Sequence, residues 1–221
     1  MKKKDYLNDK SVIDFIYWIE PLLIDSFSHS YNFKKGQSKN WSCNSIFDAY
    51  EKYRWGNGIN TTFDDSQKEL ISIKKQLKKA LDDDNHANVK KACINMLKWG
   101  GLKRKNEKYI INNPDIIKDL KYIKNKIDPC MYDTNNQSLI EILITSGFSK
   151  IYSVLLDDFV IYDSRVSTAL CYFIRTFCDE KNIEQIPENL VFAFSKAHNP
   201  KAKRNPNNKN YVFPNINQNN Y

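Results

Sequence analysis

Apolar residues in this chain recur at intervals of three and four, and that spacing limits the fold more than any other feature. Leu70, Ile73, Leu77 and Leu81 form one stripe along a helix whose opposite face is covered by lysines. Val89, Cys93, Met96 and Leu97 repeat the pattern, and so do Ile116, Ile117, Leu120 and Ile123. Alternation of the strand type is almost absent. The expectation is therefore an all-α chain, a compact multi-helix fold of eight or nine helices that share their apolar stripes.

Punctuation residues divide the chain further. Residues 11–27 read as a first helix, ended or kinked at Pro21. A polar linker, FKKGQSKN, leads to a helix over 42–54 that carries Ile46, Phe47, Tyr50 and Tyr53 on one side. Ser66 and Glu69 have the spacing of a capping box, which places the next helix start there. Gly100-Gly101 stop the helix over 87–98, and Asn113-Pro114 start the one over 114–127. A short apolar helix over 137–145 ends at Ser146-Gly147; helices over 149–157 and 164–178 follow, with a last one over 187–197. The tail after Ser195 has nine asparagines and no acidic residue, and reads as loop. Residues 1–40 form an N-terminal helix and linker and 41–221 the main helical domain, with no clean boundary between them.

The 221 residues carry a formal charge of +8. A polyanion would be attracted to such a surface, and nucleic acid is the commonest one, although an AT-rich genome also enriches lysine. Cys43, Cys93, Cys130, Cys171 and Cys178 include no CxxC pair and no histidine at ligand spacing. They read as reduced thiols, with no metal and no cofactor expected. Asp14 and Glu20 interrupt the apolar run after the basic start, which rules it out as a signal-peptide core. No stretch is apolar and long enough for a membrane span, and a cytoplasmic location is expected.

The stretch SGFSKIYSVLLDDFVIYDSRVSTAL, residues 146–170, is where chemistry concentrates. Lys150 falls in the first turn of one expected helix and Asp163 opens the next. A tight turn at Gly147, Phe148 and Ser149 would expose backbone N–H groups that hold a DNA phosphate without reading sequence. A lysine desolvated beside it becomes a nucleophile. The helix carries the chain away from Lys150, and the extended FVIY segment returns it by about 10 Å at ~3.3 Å per residue. The two side chains can therefore meet across one cleft.

This order of turn, lysine, helix, loop, aspartate and helix resembles the helix–hairpin–helix DNA glycosylases, in particular the 8-oxoguanine glycosylase type. IYDSRVSTAL, the LKWGG turn at 97–101 and the segment with Arg204, Asn205, Pro206, Phe213 and Pro214 are similar to a poorly described bacterial subgroup with that fold. The resemblance implies that Lys150 attacks C1′ of a damaged nucleotide and that Asp163 stabilises the oxocarbenium charge. The implied partner is DNA, and the implied activity is base excision with or without β-lyase chemistry. Two departures stand out: Ser149 replaces the hairpin's second glycine, and the Lys-to-Asp interval is short.

Other candidates remain open between two roles. Trp41, Trp55 and Trp99 are either core anchors or walls of a pocket for an extruded base. Arg165 either bonds a phosphate or pairs with Asp157 or Asp158. Lys201, Lys203 and Arg204 belong to a solvated basic tail or to a strap over DNA. His198 is a lone tail histidine. No P-loop, Rossmann glycines, HExxH or Ser/His/Asp arrangement occurs. The alternatives to an enzyme are a catalytically silent DNA-binding module, linked to phage defence by analogy alone, and a helical scaffold that binds protein.

Overall fold

The computed structural model describes residues 3–25, 27–32, 40–53, 62–102, 105–126, 146–196 and 204–216. Among them are nine α-helices, one two-stranded hairpin and a 3₁₀ turn, so the all-α expectation holds. The helices are α1 Lys3–Leu7, α2 Lys10–Ile24, α3 Ile46–Glu51, α4 Phe63–Asp82 and α5 His86–Trp99. They continue as α6 Lys105–Asn112, α7 Ile116–Lys126, α8 Ser146–Leu155 and α9 Ser164–Glu180. The strands β1 His29–Asn32 and β2 Asn40–Cys43 pair antiparallel, with Tyr31 opposite Trp41.

Local chemistry explains most helix ends. Asp9 caps α2 by accepting the N–H groups of Ser11 and Val12, and the helix runs through Pro21 to Ile24. The capping box of α4 is Thr62 with Asp65, one turn before the expected Ser66. Both sites satisfy the spacing rule, but the box at Thr62 leaves Ser66 free to turn inward, where it is buried. At the end of α5, Gly101 donates to Lys98 and Leu102 donates to Leu97, which is a Schellman closure with Gly101 at φ +69°. Asn113 accepts the N–H of Asp115 and donates to Asp119, holding the start of α7.

Several expectations need correction. The helix expected over 42–54 is shorter, because Asn40–Cys43 pairs as a strand. Helix α6 stands where none was expected, and the helix expected over 187–197 is only the 3₁₀ turn Glu188–Leu190. Helix α8 begins at Ser146 rather than 149, so Gly147 is a helical residue. The expected helix over 137–145, Trp55, Cys130, Lys201, Lys203 and His198 lie outside the described residues.

Two apolar clusters organise the molecule. The first joins α4, α5, α6, α7 and α8 through side chains such as Leu77, Val89, Met96, Leu120 and Ile151. The second packs Val12 and Phe15 of α2 against Ile174 and Phe177 of α9, closed by Leu190, Phe194, Tyr211 and Phe213. Each such fully buried side chain contributes about 1.5–3 kcal/mol. The described part of the tail read as loop, residues 204–216, is irregular but packed, since Tyr211 and Phe213 are core residues. Helix α8 belongs to the first cluster and α9 to the second, and the chain between them crosses the junction.

Candidate active site

Lys150 and Asp163 meet at that junction. Lys150 Nζ lies 3.3 Å from Asp163 Oδ2, with side chains only 5% and 14% exposed. The amine also donates to the carbonyl of Ser146 one turn back, at 3.1 Å. Asp163 divides its work between its two oxygens. Oδ1 accepts the N–H groups of Arg165 (2.8 Å) and Val166 (3.2 Å), capping α9, which leaves Oδ2 for the lysine. Capping and ion pairing thus fix one carboxylate in one orientation.

The lysine reaches this position because of a glycine. A Cβ at Gly100 would stand 2.5 Å from Lys150 Cδ and 3.0 Å from Cε. Gly100 itself has φ −71°, which any residue adopts, so its lack of a side chain serves the lysine stem and not the backbone. Gly101 beside it has open space around it and is demanded by its positive φ. The glycine doublet therefore does two separate jobs.

Burial pushes the Lys150 amine below the ordinary lysine range, against the opposing charge and hydrogen bond of Asp163; the Arg165 charge pushes it further down. For Asp163, burial acts to raise the carboxyl. The N–H of Arg165, the Lys150 charge and the N–H of Val166 outweigh it and hold the group below the usual carboxylate value. The result is an ionised carboxylate beside an amine that holds its proton less tightly than a free lysine. A downward shift moves the amine toward the unprotonated form that a nucleophilic lysine uses. A buried pair of this kind costs several kcal/mol of desolvation per ion, so stability alone is a weak reason for it.

Both residues line a cleft of about 400 Å³. Tyr50, Tyr53, Phe63 and Trp99 supply aromatic walls, and Leu70, Ile161 and Val166 complete the apolar lining. Tyr50 and Phe63 meet edge to face at 4.4 Å. Ser66 and Gln67 bring polar groups into the lining. The Ser66 hydroxyl is buried with no hydrogen-bond partner among the described residues, which suits a site that completes its bonding with a ligand.

The expected site residues separate into groups. Lys150, Asp163, Arg165 and Trp99 come together at the cleft. Trp41 stands on the hairpin, edge-on to His29 at 6.4 Å, away from the lining. Phe148 and Ser149 are buried within α8, and Ser149 Oγ donates to the Ser146 carbonyl. A Cβ at Gly147 would fall 2.3 Å from Asn106 Nδ2, so that glycine admits the Asn106 side chain. The expected hairpin turn at 147–149 is thus replaced by a packed helical turn. Arg165 does not pair with Asp157, which is held by Lys74 and Lys78; its Nη1 lies 3.7 Å from Asp163 Oδ2. Arg204 donates to Ser164 Oγ at 2.7 Å and so joins the same corner. Tyr50, Tyr53, Phe63, Ser66 and Gln67 were missed. The i, i+3 aromatic pair at 50 and 53 was the one visible signal for them.

Among the described residues no group of three potential metal ligands occurs, and no helix is long and apolar enough to cross a membrane. No family model, curated protein or solved structure matches this chain.

Proposed function

We propose that this chain is a DNA base-excision glycosylase with lyase capacity, acting on a nucleotide extruded into the aromatic cleft. The observation that carries the reading is the buried Lys150–Asp163 contact of 3.3 Å between two residues that line that cleft. The neutral amine of Lys150 attacks C1′ of the sugar. The C1′–N bond breaks, and its electron pair leaves with the base, which takes up a proton. Asp163 stabilises the positive charge that develops on the sugar. The secondary ammonium so formed gives up one proton, the C1′–O4′ bond breaks with O4′ taking up a proton, and a protonated imine joins Lys150 to C1′; loss of a C2′ proton then breaks the C3′–O bond and releases the 3′ phosphate. The aromatic walls hold the base by stacking, as enzymes that act on an extruded base require.

Borohydride trapping on a duplex with an abasic site, and on duplexes carrying oxidised or alkylated bases, tests the reaction. Wild type forms a covalent adduct, and Lys150→Met forms none while keeping its melting temperature. Equal trapping of both proteins refutes the role of the lysine. A second reading rests on the 5% exposure of Lys150: the pair is a structural ion pair of a silent DNA-binding module. Tight, salt-dependent binding with neither base release nor adduct would favour it.

A further inference from the structure

Hydroxyls inside the helices have a regular outlet in this chain. Ser149 Oγ donates to the Ser146 carbonyl and Ser153 Oγ to that of Lys150, each one turn back. Thr168 and Thr176 donate in the same way to the carbonyls of Ser164 and Tyr172. Ser66 of α4 departs from this pattern. The residue is 5% exposed, and its Oγ has no hydrogen-bond partner among the described residues. The other buried serines among them, Ser45, Ser149 and Ser167, are all bonded through Oγ.

Ser66 also lines the cleft that holds Lys150 and Asp163, among the aromatic and aliphatic side chains of Tyr50, Phe63, Leu70 and Ile161. A buried hydroxyl without an acceptor costs stability, and such a group calls for an explanation. A heterocycle entering the cleft has the complementary need. Its faces suit Tyr50 and Phe63, while a carbonyl on its edge loses water and must find a donor. The Lys150 amine already donates to Asp163 and to the Ser146 carbonyl. An exocyclic carbonyl oxygen projects beyond the ring, farther than a ring nitrogen does, and so reaches a hydroxyl recessed in the wall.

We propose that Ser66 is a specificity-determining residue of the cleft, its hydroxyl donating to a carbonyl oxygen on the edge of the extruded base. The contact rests on the nucleic-acid reading above and narrows the substrate to bases that present an exocyclic carbonyl toward α4. The hydroxyl turns about χ1 to meet that oxygen, a small movement between staggered positions.

The test uses the full chain and duplexes in which one 2′-fluoroarabino nucleotide, whose glycosidic bond resists cleavage, stands opposite a propanediol spacer. The spacer leaves the probe base unpaired, so pairing strength does not bias its extrusion. The probes come in pairs that differ by one carbonyl: hypoxanthine with purine, guanine with 2-aminopurine, and uracil with 2-pyrimidinone. Affinity and melting temperature are measured for wild type and Ser66→Ala. Wild type should prefer the carbonyl member of at least one pair by about fivefold, the net worth of one neutral hydrogen bond. Ser66→Ala should lose that preference and bind both members as wild type binds the poorer one. It should also keep or raise the melting temperature, because it removes a hydroxyl that the fold leaves unbonded. Wild type without a preference, Ser66→Ala with the wild-type preference, or a Ser66→Ala that melts lower overturns the contact. Failure of wild type to bind any of these duplexes overturns both the contact and the reading beneath it. If the preference behaves as stated and no adduct forms at Lys150, the glycosylase reading falls and the contact stands. If the adduct forms while Ser66→Ala discriminates as wild type does, the contact alone falls.

Discussion

Substituting Gly100 by alanine should disturb Lys150 while leaving the backbone intact. The added methyl would lie 2.5 Å from Lys150 Cδ, where carbon atoms prefer about 3.5–4 Å, so the stem must move by about 1 Å. Its far end is tethered to Asp163 at 3.3 Å and to the Ser146 carbonyl at 3.1 Å, and the movement strains both contacts. At an effective dielectric near 20, lengthening the pair by about 1 Å weakens its attraction by roughly 1 kcal/mol. Crowding of this kind costs about 1–3 kcal/mol of stability. Gly101→Ala is the control, because nothing stands within 4 Å and only its φ of +69° is penalised, at about 1–2 kcal/mol. The two variants should lose similar stability in urea. Competitive labelling of amines across pH, read at the Lys150 peptide by mass spectrometry, separates them. With Asp163's cation-favouring contact loosened and burial unchanged, the Lys150 titration moves to lower pH in Gly100→Ala and not in Gly101→Ala. A Lys150 profile that is unchanged in Gly100→Ala, shifted upward, or shifted equally in both variants would refute the reasoning.

Asp163 has a lowered carboxyl, so the unfolded chain takes up this proton first as pH falls below the ordinary 3.8. Its stabilisation is complete above that pH and is lost as pH falls toward the folded value. Asp163→Asn should therefore show a shallower acid loss of stability in urea titrations between about pH 5 and 2. Lys150 works in the opposite sense. The folded chain releases this proton more readily than the unfolded one, so its contribution grows as pH rises toward 10.5. Lys150→Met should keep or raise the melting temperature, because Asp163 retains its N–H partners. Asp163→Ala should lose about 3–5 kcal/mol, since it strands a buried ammonium. Thr62→Ala should cost about 1 kcal/mol through loss of the α4 cap, and Ser66→Ala should leave that cap untouched; equal losses in chemical denaturation would return the helix start to Ser66.

The helices were legible wherever one apolar stripe decided the matter. α5 and α7 follow from Val89 and Ile116 and their neighbours, and the start of α9 was visible in Asp163 itself. The α4 start was misplaced because two Ser/Thr–acid spacings lie one turn apart, and only the tertiary burial of Ser66 chooses between them. The hairpin was invisible because HSYN and NWSC carry no apolar alternation. That Lys150 and Asp163 can meet was readable from the extended FVIY return between their helices, although Lys150 stands one turn into α8 and not at its start. The slot that Gly100 opens for the lysine was not, because it joins residues fifty positions apart through a missing side chain. For the same reason the sequence leaves Arg204 open between a solvated tail and a strap over DNA, whereas the burial of Tyr211 and Phe213 packs the segment that carries it.

The central claim is that the amine of Lys150 makes the covalent bond to the sugar. The most direct measurement is peptide mapping of the borohydride-reduced protein–DNA adduct by mass spectrometry, with the modified residue identified by fragmentation. The account predicts a sugar remnant on Lys150, absent from Lys150→Met and reduced in Gly100→Ala. A remnant on any other lysine or on the terminal amine, or no adduct on any abasic or damaged duplex, would contradict it.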